Sequence, residues 1–178
     1  GGASMIATDM MSFIKSDLIV FGTGVALVFC LMLYLFFQNL WFVALPLSNA
    51  LVTTVFTASI LGLMDWKISV ISSNFIALLL ILTISLTVHV LVRFIEVCKS
   101  EESIDQAIYI TLNQMVMPCL FAALTTAIAF LSLMMGDIKP VIEFGKMMSV
   151  GMLFAFIFTF TFLPAAMKLL IRSNSTSS

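Results

Sequence analysis

Charge is scarce in this chain. Of 178 residues, 8 are Lys or Arg, 9 are Asp or Glu and 1 is His, so only 10% are charged. A soluble domain carries about a quarter, which excludes an ordinary globular fold in water. Between Asp17 and Asp65 there is no charged residue at all. No basic run or aromatic-basic interleaving occurs, and the formal net charge is −1, so no nucleic-acid partner is expected. The 3 cysteines, Cys30, Cys98 and Cys119, are scattered without metal-ligand spacing and read as small buried hydrophobes. With a single histidine, a His-rich metal site cannot be made within the chain, and no cofactor is implied. There is no HExxH, no pair of intramembrane aspartates, no GxS nucleophile turn and no phosphate-cradling loop. The expectation is that the chain is not an enzyme.

What is present is apolar length. Hydrophobic residues make up 62% and the mean hydropathy is +1.20. A transmembrane helix needs about 20 mostly apolar residues. The sequence predicts spans at approximately 18–37, 40–64, 68–94, 115–135 and 144–171. This is an all-α fold, a polytopic membrane helix bundle with about five transmembrane helices. Gln38-Asn39, Gly62 to Lys67 and Gly136 to Pro140 are the expected turns. Pro46 stands near the start of the second span, where a missing N–H is tolerated. Ser100 before Glu101 and Glu102 reads as a helix start. Ile104, Ile108 and Leu112 recur every four residues, so 96–113 is expected to be an amphipathic linker helix on the membrane surface. The alternative is a solvated connecting helix with no task of its own. The chain begins Gly1-Gly2-Ala3-Ser4 and ends in a polar stretch, 172–178, expected to be a disordered tail, and it reads as a piece of a larger protein. Five spans put the two ends on opposite sides of the membrane. Lys and Arg divide evenly between the sides, so charge does not choose the orientation.

His89 is the one titratable group deep inside a span. Ionisable residues at such depth usually face a bundle interior or a water-filled path, and histidine titrates nearest neutral pH. At 100° per residue, Asn74, Ser85, His89 and Glu96 fall within about 60° of one another, with Arg93 about 40° beyond. The stripe becomes more polar toward one end, where Arg93 and Glu96 form a polar cluster. Two readings stand: a proton or ion path, or a histidine hydrogen-bonded to a neighbouring helix near the headgroups. Thr125 and Thr126 bond either across helices or to their own carbonyls. Asn49, Thr53 and Thr57 make a second stripe, of the kind that glues helices together.

Several short motifs, taken in order, resemble one membrane half of a resistance–nodulation–division (RND) permease. They are Asp17-Leu18, Leu45-Pro46-Leu47, Val88-His89 followed by Arg93-Phe94 and Glu96, and Ala107 after an acidic linker. Leu124-Thr125-Thr126 with Phe130 and Leu133, then Phe144-Gly145 and Leu163-Pro164-Ala165, complete the series. The chain is most similar to the MMPL-like branch, which moves hydrophobic molecules, and its five-helix unit is also similar to the sterol-sensing domain of Patched-type proteins. The resemblance implies spans two to six of the first half of a twelve-span protein. Residues 1–16 would end an extracytoplasmic segment, and 96–113 would lie in the cytoplasm.

The implied function is export of hydrophobic or lipid-like compounds by a proton-coupled secondary transporter in a bacterial inner membrane. The alternative is a sterol-sensing-type lipid-binding regulatory module without transport. Membrane lipids, an amphiphilic substrate, a second membrane half and an extracytoplasmic domain are the implied partners, and a homo-oligomer is among the assemblies the family uses. His89, Ser85, Asn74, Thr125 and Thr126 are the relay candidates, with the two threonines expected to face the third span across a packed interface. One position departs from the family. Relatives usually carry an acidic residue four positions before the histidine, and here that position is Ser85.

Overall fold

A computed structural model describes residues 2–66 and 74–175. Five long helices follow one another: α1 Ala3–Phe37, α2 Leu40–Leu63, α3 Phe75–Cys98, α4 Ile104–Ser132 and α5 Lys139–Ser175. All five are long and apolar enough to cross a membrane. In hydrocarbon a backbone without water must satisfy its own N–H and C=O groups, and the α-helix does so within one segment.

The ends of the helices follow local chemistry. Gln38 closes α1 in the left-handed conformation (φ 52°, ψ 24°), its N–H bonded to the Tyr34 carbonyl. Asn39 then opens α2 by accepting a hydrogen bond from the Trp41 N–H at 3.1 Å. The expected two-residue turn is therefore Gln38-Asn39. At the other end of α2 the chain turns through Met64 and Asp65, and Asp65 is again left-handed (φ 54°). The third span was expected to begin at Ile68, which lies outside the described residues.

Three boundaries differ from the sequence expectation. First, α1 starts at Ala3, not Leu18, and its 35 residues extend about 52 Å. The polar residues Asp9, Lys15 and Asp17 interrupt apolarity without breaking the helix. Second, 96–113 is not a separate surface helix: α3 continues to Cys98, and α4 begins at Ile104 and runs unbroken through the fourth span. Its N-cap is Ser103, not Ser100, and Ala107, Ile108 and Thr111 are buried. Third, α5 reaches Ser175, so most of the expected tail is helical. Pro46 is also the seventh residue of α2, past the first turn, so its missing N–H leaves the Phe42 carbonyl without its usual partner.

Helix α3 lies at the centre, touching all four others, whereas among the described residues α1 touches only α2 and α3. The main core combines Leu79, Val90, Leu91 and Phe94 of α3 with Met147, Met148, Leu163 and Met167 of α5. A smaller cluster, Leu33, Val43, Ala50 and Ile84, ties α1 to α2 and α3. Small residues bring α4 and α5 together. Ala123 and Ala127 are buried on α4, and the Ser149 hydroxyl of α5 lies 3.0 Å from the Ala127 carbonyl. A Cβ at Gly145 would run into the Phe130 carbonyl oxygen and sit 3.1 Å from the Leu133 Cβ.

Candidate functional site

The central helix has one open side. From Ala77 to Ile95 every residue of α3 is buried or half-buried except two, Ser85 and His89. Asn74 and Glu96, at the two ends of the same stripe, are exposed as well. The 100° geometry thus groups residues that share an open face. His89 makes no hydrogen bond among the described residues, so the second sequence reading, a histidine bonded to a neighbouring helix of this unit, is not what the structure holds.

Toward the end of the stripe the polar groups are paired. The Arg93 guanidinium donates from Nε to Gln114 Oε1 of α4 and from Nη1 to Glu96 Oε2, both at 2.8 Å. These side chains are half-exposed, so the pair positions the guanidinium more than it stabilises the fold. Asp105 of α4 and Lys168 of α5 approach at 3.5 Å near the same end.

The threonine pair does not join this stripe within the unit. Thr125 is exposed and Thr126 half-exposed. Thr125 donates to the carbonyls of Phe121 and Ala122, and Thr126 to that of Ala122. Each hydroxyl is thereby satisfied by its own helix, and among the described residues neither bonds to α3. The expected interface between these threonines and the third span is therefore not held by a hydrogen bond among the described residues. An i−4 back-bond removes the need for a partner on another helix.

The second stripe is where helices are joined. Asn49 of α2 is fully buried, and its Nδ2 donates to Thr87 Oγ1 of α3 at 2.8 Å and to Thr159 Oγ1 of α5 at 3.1 Å. Both threonines donate their own hydroxyl protons to the carbonyl four residues earlier, leaving lone pairs for the amide. Thr53, Thr57 and Thr83 are fully buried around it. The sequence pointed to Asn49, Thr53 and Thr57. It did not identify Thr87 and Thr159, whose β-branched hydroxyls look like any other threonine in an apolar run.

A shallow apolar groove of about 490 Å³ lies between α1 and α3, lined by Val20, Phe21, Gly24, Val25, Val28, Phe29 and Ile81. Among the described residues no three His, Cys, Asp or Glu side chains gather as a metal site.

These features define a polytopic membrane helix bundle with a polar stripe on an otherwise packed central helix. The chain belongs to the MMPL family within the RND superfamily, whose family model matches residues 1–177. This is a family of transporters, not of enzymes. It is 28% identical to a hopanoid transporter of Burkholderia multivorans over 94% of this chain and 19% of that protein. It is 24% identical to a hopanoid transporter of Rhodopseudomonas palustris, over 95% of this chain and 20% of that protein. A putative membrane protein of Methanocaldococcus jannaschii is 25% identical over 92% of this chain and 44% of its own length. The chain therefore spans less than half of each of these relatives.

Proposed function

We propose that this chain is one membrane half of a secondary transporter that exports a hydrophobic or lipid-like compound, coupled to protons, in a bacterial inner membrane. One observation carries the reading. Across the middle of α3 the only two exposed residues are polar, Ser85 and His89. Polar side chains facing hydrocarbon are costly and normally face a bundle interior or an aqueous path. The stripe is therefore the face that a second membrane half covers, and His89 meets groups from that half in a partly hydrated seam. Moving one elementary charge through 100 mV is worth roughly 2.3 kcal/mol, a scale suited to conformational work. The hopanoid transporters support a lipid-like substrate, and the coverage of about one fifth of their length supports a larger protein with a second half and an extracytoplasmic domain. The resemblance supports an orientation in which the start of α1 is extracytoplasmic and the turn before Ile104 cytoplasmic.

The test is His89→Ala in the full-length protein reconstituted in vesicles. Flux should fall by tenfold or more and lose its dependence on an imposed pH gradient. Unchanged flux with an unchanged pH profile would remove His89 from coupling.

A second reading is a lipid-sensing module without transport. Two observations favour it: serine, which does not titrate usefully, stands at position 85, and an apolar groove runs between α1 and α3. Saturable lipid binding without flux would select this reading, and pH-dependent flux would select the transporter.

A further inference from the structure

We propose that the buried junction of α2, α3 and α5 binds a single water molecule, held by Asn49 and Thr53 one helical turn from the Asn49 hydrogen bonds. Among the described residues three buried side-chain oxygens have no hydrogen-bond partner, Asn49 Oδ1, Thr53 Oγ1 and Thr54 Oγ1, and the first two share one face of α2. The exposures are 0% for Asn49, 0% for Thr53 and 5% for Thr54. Burying such a group unpaired is costly, and buried polar groups are otherwise almost always paired to protein or water.

The orientation of the Asn49 amide is set by its neighbours. Thr87 and Thr159 have each committed a proton to a helix carbonyl and can only accept from Asn49. The Nδ2 must face them, so Oδ1 faces away and needs a donor. Thr53 differs from Thr57, Thr83, Thr87 and Thr159, which all bond back to the carbonyl four residues earlier. Thr53 does not, and its hydroxyl proton remains free to donate.

Register supplies the third partner. Successive spans run in opposite directions, so from the Asn49–Thr87 pair one turn along α2 reaches Thr53 and one turn back along α3 reaches Thr83. Both are fully buried at that depth. The Thr83 proton is used on Leu79, leaving its oxygen to accept. On α5, Ala155 stands one turn from Thr159 and is fully buried, so only a methyl group occupies that level.

Water satisfies this set. It accepts from Thr53, donates to Asn49 Oδ1 and donates to Thr83 Oγ1, within the two to four bonds typical of buried water. An alkali cation fits less well. The oxygens are all neutral, and among the described residues no carboxylate is buried to offset its desolvation.

The experiment uses the full-length protein in lipid nanodiscs, with thermal unfolding of wild type, Thr53→Val and Thr53→Ser, and a high-resolution cryo-EM map of the wild type. The proposal expects density within hydrogen-bond distance of both Asn49 Oδ1 and Thr53 Oγ1. It also expects Thr53→Val to lower Tm by about 2–4 °C and Thr53→Ser to stay near wild type. An unchanged or raised Tm for Thr53→Val overturns it, because valine would then only be replacing a hydroxyl that held nothing. Absence of density in a map that resolves other buried waters also overturns it. So does stabilisation by NaCl, LiCl or KCl over choline chloride that Thr53→Val abolishes, which would assign the site to a cation.

Discussion

At the scale of single residues, two kinds of polar side chain in this bundle do opposite things. Asn49 faces inward and joins three helices through one amide nitrogen. His89 faces outward, and across the middle of α3 only Ser85 shares that exposure. Interhelical hydrogen bonds in bilayers are modest, averaging about 0.6 kcal/mol with a maximum near 1.7. Asn49→Ala removes two of them and opens a small gap, so a loss of about 1–3 kcal/mol is expected, measured as a lower Tm in nanodiscs. His89→Ala, by contrast, should leave the Tm of the isolated unit within about 2 °C of wild type, since no bond within the unit depends on it. A large stability loss for His89→Ala would mean that His89 is a structural residue and not a relay.

At the scale of helices, much of the bundle was legible because lipid imposes a length rule. Runs of about 20 apolar residues must be helices, and among the described residues the break at Gln38-Asn39 and the one beginning at Gly136 fall between helices as expected. Face could also be read: the 100° step placed Asn74, Ser85, His89 and Glu96 together, and all four are exposed. What a helical period does not carry is the identity of the neighbour. Ile104, Ile108 and Leu112 would give the same amphipathic pattern on a bilayer surface as against a core. In the fold Ile108 is 8% exposed and Ile104 42%, so the stripe packs on the bundle near its end and α4 needs no break. Thr125 and Thr126 are silent for a related reason, since a threonine satisfied by its own carbonyl gives no sign of which helix it faces.

The closeness of α4 and α5 is a property of the helix pair, and it yields a paired prediction. At Gly145 a methyl group has nowhere to go except into the backbone of Phe130. Gly145→Ala should therefore force the helices apart and cost about 1–3 kcal/mol. Nothing stands within 4 Å of a Cβ at Gly62, so Gly62→Ala should be neutral or stabilising by a few tenths of a kcal/mol, by helix propensity. Thermal unfolding of the two variants side by side separates the packing effect from the general effect of replacing glycine. Equal changes in Tm would show that the α4–α5 approach is not limited by Gly145.

At the scale of the whole molecule, the question is what covers α3. The apolar exterior elsewhere is indifferent to the choice: Val20, Phe21 and Leu27 of α1 suit lipid as well as protein. The stripe is not indifferent. If it faced lipid, exchanging Ser85 for leucine would improve the match with hydrocarbon, and the protein would gain stability or keep it while transport continued. If a second helical unit packs there around a hydrated seam, leucine inserts three carbons in place of a hydroxyl and dries the seam beside His89. Ser85→Leu is then expected to reduce flux by tenfold or more in the reconstituted full-length protein, with little change in expression. Leu27→Val, at an α1 position that is 64% exposed and outside the groove lining, should transport as wild type does. A matched pair of flux measurements decides between the two environments. Equal transport by Ser85→Leu and Leu27→Val would return α3 to the lipid and leave the polar stripe without a mechanistic role.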